Sequence, residues 1–289
     1  MQKASTKKPV RPPQRQLRPG LEKKMKPLPI FDYPEIKGNQ RLKNKIALIT
    51  GGDSGIGKAV AVLFAKEGAT IAIAYLNEDK DAKETQQYIE ENYGHRCLLI
   101  KGDLSREANC IKAIKKTINQ FGRIDILVNN AALHYENERL ETLTTKELVK
   151  TFETNIFSFF WVTKAALAYM KKGSCIINSS SVTAYRGSGS LIDYASTKGA
   201  IVAFTRSLSS NLAKKGIRVN GVAPGPIWTP LIPSSFKAKK VAQHGSDVPL
   251  QRAGEPVEIA PSYLFLASSD GSYMTGQFLH PNGGEIING

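Results

Sequence analysis

The chain has 289 residues, 41% hydrophobic and 22% charged. That is enough for one large α/β domain with a buried core and unlike a disordered chain. No apolar run approaches the roughly 20 residues a bilayer crossing needs, and the basic N-terminus has no apolar block behind it, so neither a membrane span nor a secretory signal is expected. The net charge of +15 is uneven, because residues 1–45 hold thirteen Lys/Arg against only Glu22, Asp32 and Glu35.

Residues 1–44 show no sustained period and contain Pro9, Pro12, Pro13, Pro19, Pro27, Pro29 and Pro34. Such a segment cannot build a helix or a central strand. Two readings of this basic, Pro-rich arm stand side by side. It attracts nucleic acid or an anionic membrane by charge, or it is a solvated or subunit-wrapping arm. The second is the expectation, with no nucleic acid and no membrane as partners. Phe31 and Tyr33 are the candidate anchors of such an arm in an apolar groove, a neighbouring subunit's included. Nothing in residues 1–40 matches a cofactor or catalytic motif, so the arm is expected to be dispensable for chemistry but to contribute to assembly or stability.

From Lys45 the pattern becomes short apolar runs alternating with amphipathic stretches. Predicted strands are 45–50, 70–76, 96–102, 125–131, 175–180, 217–223 and 276–281, most of them apolar on both faces as in a covered parallel sheet. Helical periodicity fills the gaps, for instance at 56–67, 105–121, 145–171 and 195–215. The alternation predicts a single domain over 45–289: an α/β, doubly wound Rossmann fold with a seven-stranded parallel sheet, helices on both faces and ligands outside the carboxyl ends of the strands. The long mixed segment 230–256 is expected to be a substrate loop. Cys97, Cys110 and Cys175 are odd in number and scattered, which argues against disulfides and against a metal site and suits a reducing cytoplasm.

Between the first strand and the first helix lies Thr50-Gly51-Gly52-Asp53-Ser54-Gly55-Ile56-Gly57. Glycines let the chain turn sharply and approach a pyrophosphate, and the helix N-terminus offers free N–H groups to it. The TGxxxGxG spacing resembles that of the short-chain dehydrogenase/reductase family, and the resemblance runs from about Leu42 to the C-terminus. It implies a cofactor site made of Gly51, Ser54, Gly55, Ile56 and Gly57. It adds Tyr75 at the end of the second strand, Asp103 and Leu104 after the third, and Asn130, Ala131 and Ala132 in the NNAG-like run Asn129–Ala132. Pro224, Gly225, Ile227 and Thr229 after the sixth strand complete it. The cofactor implied is NAD or NADP. The position that usually separates the two is Tyr75, neither acidic nor basic, and Lys58 and Lys80 nearby either reach a phosphate or are solvated.

The same resemblance supplies a catalytic set: Asn155, Ser181, Tyr194 and Lys198. Tyr194 and Lys198 stand four apart and share one helix face. An ammonium beside a phenol favours phenolate, which lets the phenol act as acid or base; the lysine is also implied to hold the nicotinamide ribose. Ser181, thirteen residues before Tyr194, is implied to bond the substrate oxygen. Asn155, inside the 145–171 helix, is either a solvent-facing residue or, as in the family, the holder of a water that links Lys198 to bulk. His134 and Tyr135 either line the pocket or belong to a surface loop. The activity implied is hydride transfer between a nicotinamide and an alcohol or carbonyl carbon of a small molecule. Homotetramer contacts are implied through the 145–171 and 195–215 helices and the last strand. The arm and the glycine-rich run resemble a bacterial branch of the family associated with general stress. The competing readings are a dinucleotide sensor without turnover and a binding protein driven by the basic tail.

Overall fold

The computed structural model describes residues 8–287. Seven strands, β1 (Ile46–Thr50), β2 (Thr70–Tyr75), β3 (Cys97–Lys101), β4 (Ile126–Asn129), β5 (Cys175–Ser179), β6 (Arg218–Val222) and β7 (Phe278–Leu279), form one sheet in the order β3-β2-β1-β4-β5-β6-β7. Every pairing is parallel. The last strand keeps only two of its six expected residues.

The apolar run of β1 is explained by its two faces. Ala47 and Ile49 point to one side, where they meet α1 (Gly55–Lys66) and, through residues such as Tyr263 and Leu264, the late helix. Leu48 points to the other side, among Ile114, Val162, Ile176 and Val219. Period two on a strand buried on both faces leaves no polar position. Helices α2 (Asp79–Tyr93) and α3 (Glu107–Phe121) follow β2 and β3. The expected 145–171 helix is broken: α4 (Thr145–Phe152) passes through a π turn at Glu153–Phe157 into α5 (Ser158–Ala166). After β5 come the short α6 (Thr183–Arg186) and α7 (Ile192–Leu212). After β6 come α8 (Leu231–Ser235) and α9 (Ala238–Ala242) within the expected loop, then α10 (Pro256–Ala267). Glu255 and Glu258 close the N-terminus of α10 as a capping box. Among the described residues no helix is long and apolar enough to cross a membrane.

The described part of the arm lies against its own chain. Its regular structure is one 3-10 turn, Glu22–Lys24. The backbone of Val10 donates to Ala242, that of Gln16 to Pro233, and Trp228 Nε1 donates to the Pro27 carbonyl. Met25 is buried in a cluster with Trp228, Ile232, Phe236 and Val241. Asp32 accepts from Lys66, Tyr88 and Tyr93. Of the two expected anchors, Phe31 packs edge-on to Tyr88 at 5.0 Å within the same chain, whereas Tyr33 is exposed. The acids that the net charge obscured tie the arm down.

Candidate active site

Chain leaves β1 for β2 on one side and reaches β4 on the other, so a crevice opens at the carboxyl ends of β1 and β4. A cavity of about 1070 Å³ runs from there across the sheet edge. Its walls include Tyr75, Asp103 and Leu104 at one end, Gly51, Ser54, Ile56 and Asn130–Ala132 along the floor, and Ser181, Tyr194 and Lys198 beyond. Pro224, Gly225, Ile227 and Thr229 also line it.

The floor is tied together by two side chains. Thr50 Oγ1, at the end of β1, accepts from the backbone N–H groups of Asn130 and Ala131 at 2.8 and 3.1 Å. Asn130 Nδ2 returns bonds to the carbonyls of Thr50 and Gly51, both at 3.2 Å. Gly51 needs its glycine because its φ of +64° is a left-handed value that side chains disfavour. Gly57 needs its own for another reason: a Cβ there would stand 1.9 Å from the Gly51 carbonyl oxygen. Gly55 and Gly57 stand behind the cavity wall rather than in it. The Gly55 N–H at the start of α1 is taken by Glu22 Oε2 at 2.8 Å. The partner of Glu22 Oε1 is Lys58 Nζ at 2.6 Å, and that ammonium lies 3.9 Å from the Phe31 ring centroid. Lys58 is therefore neither a phosphate ligand nor solvated; Lys80 is exposed and away from the cavity.

At the second strand's end the hydroxyl of Tyr75 donates to Asp79. Asp53 and Glu78 are among the acids that line the cavity. Burial, then the nearby Glu78, pushes Asp53 up to about 7. Asp103 accepts from the Ser105 backbone and from Lys150 at 2.8 Å. Burial alone would raise its carboxyl, but Lys150 and Ser105 hold it below the usual range.

The expected catalytic set divides three to one, with Ser181, Tyr194 and Lys198 in the cavity wall and Asn155 outside it. Tyr194 and Lys198 project from α7 to the end of β5, where Lys198 Nζ lies 5.3 Å from the Tyr194 ring centroid and donates to the Ser179 carbonyl at 2.8 Å. Burial raises Tyr194 to about 12, against a hydrogen bond with Ser181, and lowers Lys198 to about 7. Asn155 lies outside the cavity wall and is fully buried. Its carboxamide accepts from Leu133 N at 2.8 Å and donates to Leu133 O at 2.7 Å. Asn155 sits within the π turn, and its burial excludes the solvent-facing alternative.

Sequence reading left two contributors open or unseen. His134 and Tyr135 do line the cavity, and His134 is only 3% exposed. The arm also lines it, through Arg18, Pro19 and Gly20. Arg18 donates to the His134 carbonyl at 2.8 Å and lies over the Tyr135 ring at 4.2 Å. Three residues of the arm thus reach the cavity although none of them matches a cofactor or catalytic motif. The signal for His134 was its place just past a strand's carboxyl end; for isolated arm residues there was none.

The comparisons agree with this geometry. A family model described as enoyl-(acyl carrier protein) reductase matches residues 51–285. The uncharacterized oxidoreductase YhxC of Bacillus subtilis is 58% identical over 287 residues, 99% of this chain and 100% of its own length. General stress protein 39 of the same organism is 53% identical, covering 93% of this chain and 94% of its own. A solved short chain dehydrogenase from Burkholderia cenocepacia, in complex with NADP, is similar with a TM-score of 0.80 at 30% identity, over 84% of this chain and 98% of that one.

Proposed function

The chain belongs to the short-chain dehydrogenase/reductase family, and we propose that it reduces the carbonyl group of a small molecule to an alcohol, with Tyr194 giving the proton. The observation that carries this is the convergence of Ser181, Tyr194 and Lys198 in a cavity that continues to Asp103. A volume of about 1070 Å³ takes a dinucleotide with a small substrate, and Gly51 and Gly225 bring bare backbone to its wall. The residues therefore fit NAD or NADP, whose reduced form when bound supplies the hydride that adds to the carbonyl carbon.

Ser54 and Ile56, at the N-terminus of α1, would hold the pyrophosphate, and Asp103 with Leu104 the adenine. Lys198 keeps donors beyond the one given to Ser179 and would hold the nicotinamide ribose. Pro224, Gly225, Ile227 and Thr229 would hold the carboxamide end. Ser181 bonds the carbonyl oxygen and orients it toward Tyr194. A phenol held near 12 is protonated at neutral pH, so it is poised to give its proton as charge develops on that oxygen. A protonated Lys198 stabilises the phenolate left behind. Asn155 acts on this site through the Leu133 backbone it clamps. The reverse reaction oxidises the alcohol by the same steps.

Purified protein tested for NADH and NADPH oxidation against aldehydes and ketones decides the matter. We expect turnover with one cofactor or both, and a fall of about 10²–10⁴-fold in kcat for Tyr194→Phe with dinucleotide binding retained. A variant keeping more than about a tenth of the activity overturns the role of Tyr194. We place the protein in the cytoplasm, on the chemistry of three unpaired buried cysteines. We propose a homotetramer as its assembly, supported by the exposed Phe157 and Phe160 of the α4–α5 segment. A monomer by light scattering at micromolar concentration would contradict it.

A further inference from the structure

One buried hydroxyl behind the site takes no part in the reaction above. Tyr263, on α10, is fully buried, and among the described residues its hydroxyl bonds only to Ser179 Oγ, at 2.6 Å. Burial raises the phenol well above its ordinary value, against the bond with Ser179, so it keeps its proton. A buried phenol with a single neighbour gives its proton to that neighbour, because a buried donor left unused is costly. Ser179 therefore accepts from Tyr263, and its own single proton goes to Asn130 Oδ1 at 3.2 Å. The series ends where Asn130 Nδ2 donates to the carbonyls of Thr50 and Gly51. Each bond in it has one direction.

The Asn130 carboxamide is what this series sets. Turned over, it would place its oxygen against the two carbonyl oxygens of the turn, acceptor facing acceptor. Its nitrogen also fits closely, 2.7 Å from where a Cβ on Gly57 would stand and 3.3 Å from that of Gly51. The amide thus fills the space that the two glycines leave open, and its place decides how the turn between β1 and α1 lies. Gly51, Asn130 and Ser179 line the cavity, whereas Tyr263 does not and reaches the floor from behind. Lys198 is held by the same residue in another way, since its Nζ donates to the Ser179 carbonyl rather than to the hydroxyl. A change that passes through the Ser179 hydroxyl therefore meets the dinucleotide floor before it meets the acid–base pair.

We propose that Tyr263 is a positioning residue for the dinucleotide: acting through Ser179, its hydroxyl orders the Asn130 carboxamide that shapes the turn between β1 and α1. This rests on the dinucleotide lying along that floor. Bonds in series polarise one another, so removing the first donor weakens the later ones even though it touches no ligand.

The test titrates NADH and NADPH by fluorescence into the full chain, into Tyr263→Phe, into Ser179→Ala and into the double variant, with urea unfolding of each. Both substitutions remove one oxygen and keep the carbon frame. Ser179→Ala should raise Kd for the dinucleotide about tenfold, and Tyr263→Phe about threefold. Added to Ser179→Ala, Tyr263→Phe should raise Kd no further, since it acts only through the hydroxyl already removed. It should nevertheless raise the urea midpoint there, because it deletes a phenol left without an acceptor. In carbonyl reduction the loss from Tyr263→Phe should fall on KM for the dinucleotide more than on kcat. Equal effects of Tyr263→Phe on Kd in both backgrounds overturn the proposal, as does a Kd that it leaves unmoved in the otherwise unaltered chain. A Kd that merely follows the urea midpoint and recovers in the double variant overturns it as well. Should Ser179→Ala fail to fold, Kd and KM of Tyr263→Phe decide. An unaltered protein that binds neither dinucleotide removes the reading beneath.

Discussion

The two ends of the cavity are built in different ways. The end beyond β1 and β3 is made by short connections of the sheet: the turn between β1 and α1, the residues after β3 and those after β4. Each is placed by the ladder that precedes it, and Thr50 and Asn130 lock them together over two adjacent strands. The end beyond Tyr194 gathers the arm at Arg18–Gly20, His134 and the 230–256 segment, which touch one another only in the folded chain. Gly20 shows how tight the join is, since a Cβ on it would stand 2.3 Å from the Pro230 carbonyl oxygen. A dinucleotide end specified locally and a substrate end specified globally let one scaffold keep its cofactor while its substrate changes.

The difference can be broken most severely at Glu22, which joins the two ends. Glu22→Ala leaves the Lys58 ammonium buried without its carboxylate and frees the Gly55 N–H. The expected loss is about 3–5 kcal/mol in urea unfolding; a midpoint within error of the unaltered protein would show the arm to be ornamental. Gly57→Ala attacks the local end alone. With 1.9 Å available to its Cβ, the turn must shift, at about 1–3 kcal/mol and with weaker dinucleotide binding by titration. Unchanged affinity would mean that the turn is not where the dinucleotide is held.

A smaller effect comes with pH. Lys198, lowered by burial to about 7, is charged below that value and neutral above it, while Tyr194 keeps its proton up to about 12. The carbonyl-reduction kcat/KM should therefore fall as pH rises above about 7, approaching tenfold per unit, and a flat profile to pH 9 would separate Lys198 from the reaction. Smallest of all is Lys101→Ala, whose ion pair with Asp79 is half exposed on both sides. It should move stability by no more than about 1 kcal/mol, which denaturation would register as a slight shift of midpoint. The contrast with Glu22 lies in burial rather than in bond length.

What could be read in the sequence follows the same division. Strand order aside, the sheet was legible because double-sided burial leaves unbroken apolar runs, and the TGxxxGxG turn because it stands between a strand and a helix. Tyr194 and Lys198 were legible through the resemblance to the family, since a tyrosine and a lysine four apart on a helix are by themselves ordinary surface neighbours. The stress-associated branch was legible too, in the arm and the glycine-rich run, and general stress protein 39 bears it out. Helix α2 was harder, since its residues are mostly polar and only Ala82 and Ile89 are apolar and buried. Helix α10 carries Pro261 within it. The place of Asn155 depends on a π turn, which no periodicity announces. Glu22, Met25 and Arg18 act one at a time in a segment without period, with Gly55 33 residues from Glu22, His134 116 from Arg18 and the partners of Met25 farther still, so pattern could not reveal them.

The docking of the arm also sets a schedule for the newborn chain. Arg11 pairs with Glu255 across 244 residues, and the backbone of Ile30 reaches the same carboxylate across 225. Synthesis runs from the N-terminus at roughly 5–20 residues per second, so Arg11 waits on the order of ten seconds or more for Glu255 to be made. During that wait the arm's prolines and its excess of lysine and arginine keep it extended and hydrated. The arm is thus among the last segments to find its place, and the substrate end of the cavity is closed only once Glu255 has been made.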